Sequence, residues 1–412
     1  MSVLLRFLGV LALAACTSVN AIDVALVNAN VYAAPDAVAM PGATIVVRDG
    51  RIASVTPGGA APADAQLIDL NGATVVAGFW NSHVHLLAES LRNAATAPRE
   101  GIEKALHQRF TSHGFTTVFD IASAPGLAIA LRERIARGEL TGPLILTVDS
   151  PFYPEHGTPI YVRELHRERN WPSAEVATPQ QASERAARQL DAGADGVKLF
   201  VGAIVGPPNG VLPMRTDIAA AAVAQAHARG KPAFAHPTIE RGVRIALAAG
   251  VDVLTHCTAG DGPWSPELVA ELVRKRVALV PTLALFEVEL AKENAPAAVR
   301  ERIAREGAQQ VAAFTRAGGT LLYGTDVGYV DEADIDAREI RLLAQAGLDW
   351  RAILASLTTA PATRFGFGTR KGRVERGYDA DLVVLDGDPA QDAGALARVK
   401  MTLREGRVVY RR

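Results

Sequence analysis

Cysteine is almost missing from this sequence: Cys16 and Cys257 are the only two in 412 residues. That excludes a disulfide framework and a thiolate-built zinc site. Charge of either sign is not in excess either. There are 43 Lys and Arg against 44 Asp and Glu, a formal net charge of -1, so nothing favours nucleic acid or an anionic surface as partner. No Gly-x-Gly-x-x-Gly turn follows the first strand-like run, which removes the usual dinucleotide cradle. Low-complexity tracts, like-charge blocks and a repeat period are also lacking. What remains is an ordinary globular balance, 49% hydrophobic and 21% charged.

The N-terminus is a separate object. Met1–Leu5, Arg6 and the apolar run Phe7–Ala15 have the shape of a secretory signal, too short to span a bilayer as a mature helix. The run closes with Leu13-Ala14-Ala15-Cys16, which resembles a bacterial lipobox whose cysteine is lipidated after cleavage. Val19-Asn20-Ala21 offers a competing cleavage site for ordinary signal peptidase. Either route predicts export, to the periplasm or as an outer-membrane lipoprotein with a lipid anchor. A lipidated Cys16 would leave Cys257 without a disulfide partner.

Both ends of the mature chain read as short strands. Asp23–Val31 is one; Ala43–Arg48 and Arg51–Val55 flank Asp49-Gly50, a two-residue hairpin signal. Asp381–Leu385, Val399–Leu403 and Arg407–Tyr410 repeat the style at the far end. The sequence therefore predicts one small β-sandwich assembled from residues 22–72 and 369–412.

Residues 73–368 alternate apolar runs with amphipathic stretches, the pattern of parallel βα units. The runs are Ala73–Ala77, Thr116–Asp120, Pro143–Val148, Gly196–Val201, Lys231–His236, Val251–His256, Val277–Thr282 and Thr320–Asp326. Gln180–Ala192, Asp217–Arg229, Pro266–Arg276 and Ala297–Ala317 are helical candidates, and Gly193, Gly230, Gly250 and Gly318 follow helices where left-handed C-caps are wanted. Eight such units predict an α/β fold, a (β/α)8 TIM barrel.

Chemistry concentrates at the C-terminal ends of these runs, where barrel active sites lie. His83 and His85 are two apart in Phe79-Trp80-Asn81-Ser82-His83-Val84-His85-Leu86, so strand alternation aims both imidazoles at one point. Lys198, His236, His256 and Asp326 occupy equivalent places on later runs. A closed barrel brings all six together, and imidazoles with a carboxylate suit a transition metal.

This set, with Gly196-Val197-Lys198-Leu199-Phe200 and the tail Tyr378-Asp379-Ala380-Asp381-Leu382, resembles the two-metal amidohydrolase superfamily, in particular its imidazolonepropionase-like and prolidase-like members. The resemblance covers the mature chain. It departs at Asn81, where many members carry Asp; Asn81 is not a ligand in the motif and reads as a neutral variant. The resemblance implies two divalent metal ions, zinc foremost, with Mn, Co or Fe also compatible. His83, His85 and Asp326 would hold the more buried ion, and His236 and His256 the more exposed one. Lys198, carboxylated by CO2, would bridge them as a carbamate. A metal-bridging hydroxide would attack the scissile carbonyl, its parent water's pKa brought from 15.7 toward about 7. Asp326 would carry the proton to the leaving nitrogen.

The implied reaction is hydrolysis of a C–N bond in a small-molecule amide, dipeptide or cyclic amide. Lactone or ester hydrolysis on the same site, or a catalytically silent envelope binding protein, are the alternatives. Tyr153 and His156, in the loop Ser150–Pro159, and Tyr329 after the last run are candidate substrate contacts. Phe286 is a further candidate for the pocket lining. Gly202–Gly210 reads as a flexible apolar lip. Cys257 should point away from the site by alternation from His256. Oligomeric state leaves no mark on the sequence.

Overall fold

The computed structural model describes residues 23–412. The signal segment and Cys16 lie outside the described residues. Among those described, no helix is long and apolar enough to cross a membrane.

The two chain ends form one continuous eight-stranded sheet. Its order runs Arg407–Arg411, Val399–Arg404, Leu382–Leu385, Thr74–Ala77, Val24–Val31, Met40–Arg48 and Arg51–Pro57, and Gln66–Asp69 also pairs with Val24–Val31. The Asp49-Gly50 hairpin forms as the sequence predicts: both residues have positive φ, 49° and 75°, and Arg48 pairs with Arg51. Leu26, Ile45, Val75, Leu382 and Leu403 are buried together as the core of this sheet.

One assignment needs correction. The apolar run before the His-x-His does not carry the histidines: Thr74–Ala77 pairs antiparallel with Leu382–Leu385 in the terminal sheet. After Gly78 the chain starts a new strand, Phe79–Val84. A Cβ at Gly78 would meet Thr116 Oγ1 at 2.3 Å, so the crossing between the two sheets leaves room for hydrogen alone.

The middle of the chain is α/β. Phe79–Val84, Phe115–Asp120 and Leu144–Thr147 form a parallel three-stranded sheet. Val197–Phe200, Ala233–His236, Val253–Thr255 and Ala278–Val280 form a parallel four-stranded one. Single bridges join neighbouring segments: Phe152 to Leu199, Leu279 to Leu321, and Val84 to Val327. The run Thr320–Asp326 is not a regular strand, because Asp326 adopts a left-handed φ of 63°. It is nevertheless stitched to the His-bearing strand, Ser82 N donating to Tyr323 O at 2.8 Å and Asp326 N to His83 O at 2.9 Å.

The helices between strands follow local rules. Pro179–Asp191 and Pro266–Arg274 start with Pro after Thr178 and Ser265, whose hydroxyls accept from Gln181 N and Leu268 N at 3.2 Å. Gly193, Gly230, Gly250 and Gly318 all have positive φ just past helix ends. Trp80, Phe119, Phe234, Val280 and Leu322 pack together with Phe365 and Phe367 beneath the strands. The segment read as a flexible lip is instead an antiparallel hairpin, Gly202–Gly206 with Gly210–Pro213.

Candidate active site

His83, His85, Lys198, His236, His256 and Asp326 all line one cavity of about 440 Å³. His83 and Lys198 are 1% exposed, Asp326 4% and His256 5%, so the cluster is sealed on the protein side. The imidazole rings sit close: His83 to His256 at 4.7 Å, His236 to His256 at 4.6 Å, His83 to His85 at 5.3 Å between centroids. His83 Nε2 and His85 Nε2 stand 3.2 and 2.8 Å from Asp326 Oδ1, and His256 Nε2 stands 3.8 Å from Oδ2. Ligand atoms of His83, His256 and Asp326 all lie within 4.8 Å of one another.

Hydrogen bonds on the far ring nitrogens decide what these atoms carry. His85 Nδ1 lies 2.6 Å from the carbonyl of Ala122, which can only accept, so Nδ1 holds the proton. His256 Nδ1 lies 2.6 Å from Thr282 Oγ1, whose own proton goes to Pro281 O at 2.8 Å, so here too Nδ1 donates. When these rings are neutral, as a metal ligand must be, both Nε2 atoms present lone pairs toward an anionic carboxylate. Asp326 Oδ1 is buried without a hydrogen-bond partner despite its two nitrogen neighbours. Lone pairs converging at such distances repel unless a cation lies among them. The donor set therefore fits a divalent metal ion.

Electrostatics set His85 apart from the other rings. Burial works to lower it, but Asp326 beside it, with Asp120 and the Ala122 carbonyl, holds it above its ordinary value, so a metal would displace a proton there. Burial pushes His83 down to about 4, the Asp326 carboxylate opposing, and holds His236 and His256 well below their ordinary value, so these rings are neutral and free to ligate. For Asp326, burial works to raise the carboxyl but the adjacent His83 and His85 hold it well below the usual carboxylate range. Burial brings Lys198 down to about 7. Its Nζ donates to Thr255 Oγ1 at 2.6 Å, and Thr255 passes its own proton to Ala235 O.

Backbone strain aims the ligands. His256 (φ 74°) and Asp326 (φ 63°) are both left-handed, just past the extended segments. The turn at His256 defeats strand alternation, and Cys257, expected to face away, is among the cavity-lining residues. It is buried, and burial lifts its thiol to about 12, so it stays protonated. Gly328 (φ 100°) packs so closely on His85 O that a Cβ there would overlap it at 1.8 Å. Asn81 is no idle variant: its Nδ2 donates to Thr325 Oγ1 at 2.8 Å while its Oδ1 accepts from His83 N and Thr325 N, tying both ligand segments. An aspartate could meet Thr325 Oγ1 only by accepting from the hydroxyl, with the bond reversed.

Tyr153, Tyr329 and Phe286 line the cavity, as the sequence suggested. His156 does not: it is exposed, with its backbone held by Glu175 Oε2, and falls outside the cavity lining. Tyr161, His166 and Trp171 line it instead, all from the segment Ile160–Trp171 that carries no periodic signal. Glu289 on the helix Leu283–Lys292 and Glu293, its C-cap, complete one side.

The chain matches the amidohydrolase family over residues 74–409 and belongs to it. It is similar to an amidohydrolase, tasK, of Hapsidospora irregularis, 40% identical over 82 residues, 18% of this chain and 8% of that one. It is 30% identical over 198 residues to an uncharacterized protein of Mycobacterium tuberculosis, covering 46% of this chain and 51% of the other. The chain thus spans about half the length, or less, of these curated relatives. Among solved structures, a candidate prolidase from Bifidobacterium longum superposes with a TM-score of 0.79 at 25% identity, covering 95% of each chain.

Proposed function

We propose that this chain is a metal-dependent amidohydrolase that cleaves a C–N bond of a small-molecule amide, dipeptide or cyclic amide inside a (β/α)8 barrel, with the terminal sheet as a small sandwich-type companion. The carrying observation is the convergence of His83, His85 and His256 Nε2 on the Asp326 carboxylate at 3.2, 2.8 and 3.8 Å, in one cavity with Lys198 and His236. His83, His85 and Asp326 would hold one divalent ion, His236 and His256 a second, with zinc the first candidate. Bound there, the ions would supply an attacking hydroxide near neutral pH and polarise the scissile carbonyl.

The chain's own residues do the rest. Ala122 O and Thr282 Oγ1 lock the rings of His85 and His256 in one tautomer. Lys198, as the neutral amine, adds to CO2; its nitrogen forms the new C–N bond and releases a proton, leaving a carbamate anion between the two ligand groups. That anion removes the repulsion an ammonium would exert on neighbouring cations. Asp326 takes the proton from the attacking water and returns it to the departing nitrogen. Tyr153 and Tyr329 hold the substrate against the cavity wall.

The working place we propose is outside the cytoplasm, on the strength of Phe7–Ala15 and Leu13-Ala14-Ala15-Cys16. Mass spectrometry of the mature N-terminus tests this: a diacylglyceryl Cys16 supports lipidation, cleavage after Ala21 supports a free exported enzyme, and an intact Met1 overturns export. An amide-library assay with metal content measured on the same sample tests the chemistry. Two equivalents of metal with turnover of an amide are expected; a fully metallated protein that hydrolyses no amide and no ester overturns the reading.

A further inference from the structure

Charge is distributed unevenly around the cavity. Among the described residues that line it, Lys198 is the only lysine and there is no arginine. Lys198 itself is buried in the ligand cluster with its Nζ on Thr255. The walls are aromatic: Tyr153 meets Phe200 edge-on at 4.9 Å, and Tyr161 tilts against Tyr329 at 5.4 Å. The acidic side chains outside the cluster are Glu289 and Glu293, one helical turn apart. Lys292 lies nearby, and its Nζ is bound to Glu289 Oε1 at 2.8 Å. Arg185 is stacked on Phe152 at 4.6 Å and donates to Ser150 Oγ and Pro151 O, outside the lining.

Away from the ions at the ligand cluster, which the scissile carbonyl would take, a substrate carboxylate would give up water and meet aromatic faces and two glutamates. It would find no lining guanidinium, and the Lys292 ammonium, 5.8 Å from the Tyr329 ring, is already bound to Glu289. The negative face of an aromatic ring and a carboxylate both favour a neutral or cationic guest. Resting on the hydrolase reading above, we propose that the substrate is an amide without a free carboxylate. It is neutral or cationic, with a flat aromatic or bulky apolar group seated between Tyr153, Tyr161 and Tyr329. Among the amides open to such an enzyme, this disfavours free dipeptides and selects N-acyl amides, anilides and peptide amides.

Matched pairs test the proposal on the full metallated protein: leucyl-phenylalanine against leucyl-phenylalaninamide, and leucyl-proline against leucyl-prolinamide. The expected kcat/KM is at least about tenfold higher for the amide of each pair, through the carboxylate's desolvation. In the Glu289→Gln, Glu293→Gln double variant the ratio should shrink by roughly threefold, mainly through a lower KM for the acid. Equal rates, or preference for the acids, overturn the proposal while leaving the hydrolase reading intact. Hydrolysis of neither set, nor of a neutral anilide, by protein with metal bound overturns both.

Discussion

His85 Nε2 faces Asp326 Oδ1 across 2.8 Å while the opposite ring nitrogen of His85 is committed to the carbonyl of Ala122. The carboxylate and the imidazole come from opposite ends of the parallel region, joined by hydrogen bonds from Asp326 N to His83 O and from His85 N to Val327 O. The pair is thus held by backbone, not by its own side-chain contact, and should keep its place when the charge on Asp326 is removed.

Asp326→Asn should accordingly fold and retain much of its metal through the histidines, yet lose turnover by roughly a hundred- to ten-thousandfold, the usual worth of a positioned acid–base group. Elemental analysis and kcat/KM on one preparation check this. Near-normal turnover with metal bound would remove Asp326 from proton transfer.

Glu339 gives a stability prediction with a definite sign. It is fully buried on the helix Ile335–Gln345, Oε2 accepting from Ala284 N at 2.7 Å while Oε1 has no partner. Burial, with Asp336 and Glu287 adding to it, raises its pKa from 4.5 to about 8. A carboxyl raised on folding keeps a proton that the unfolded chain releases, so stability falls as pH climbs from about 4.5 to about 8. Glu339→Gln keeps an acceptor for Ala284 and removes the titration. Its melting temperature should match the parent near pH 5 and exceed it at pH 8.5 by on the order of several degrees. Parallel melting curves for the two proteins across that range would refute the assignment.

Lys371 shows the opposite case. Only 4% exposed, it lies 2.6 Å from Asp381 Oδ2 and 3.1 Å from Asp379 Oδ2. Asp381 Oδ1 also accepts from Glu405 N, so the group anchors the tail hairpin. Asp379 also meets Arg370 at 3.1 Å, so Lys371→Met leaves the buried Asp381 without its cation and should cost about 3–5 kcal/mol in urea unfolding. A loss under about 1 kcal/mol would mean that water reaches the carboxylates.

Most ligand positions are legible in the sequence. Lys198 is marked as the one charge inside the run Val197–Phe200, while His236, His256 and Asp326 close apolar runs, and a run's end is marked whichever sheet it joins. Which sheet was not marked. Thr74–Ala77 is buried on both faces in the terminal sheet and carries the same continuous apolar pattern as a parallel strand, so by pattern alone it is indistinguishable from the first strand of the parallel region. Cys257 was misplaced for a related reason: alternation holds only while φ stays negative, and His256 turns left-handed. Tyr161, His166 and Trp171 are invisible because the wall is built on a 3-10 turn, Ile160–Val162, and a six-residue helix, Arg163–Glu168, both too short to show a period. Their contribution is set by where the segment folds back, which depends on Arg163 and Arg169 bonding to Val205 O and Leu87 O across long separations.

Lys198 offers the most direct check on the proposed carbamate. Burial among neutral histidines, with Asp326 opposing, places its pKa at about 7. Only the free amine reacts with CO2, and its fraction rises as pH passes upward through that value. With a pKa near 7, the amine fraction at pH 8 is about tenfold that at pH 6. Metal-free protein reconstituted with zinc at fixed CO2 pressure should therefore regain activity about tenfold faster at pH 8 than at pH 6, and only slowly in CO2-free buffer. Lys198→Arg keeps a cation but cannot form the carbamate, so it should bind fewer than two metal equivalents and ignore CO2 altogether. Recovery that is equally fast with and without CO2 at both pH values would leave Lys198 as an ammonium hydrogen-bonded to Thr255, and the site as a one-metal centre on His83, His85 and Asp326.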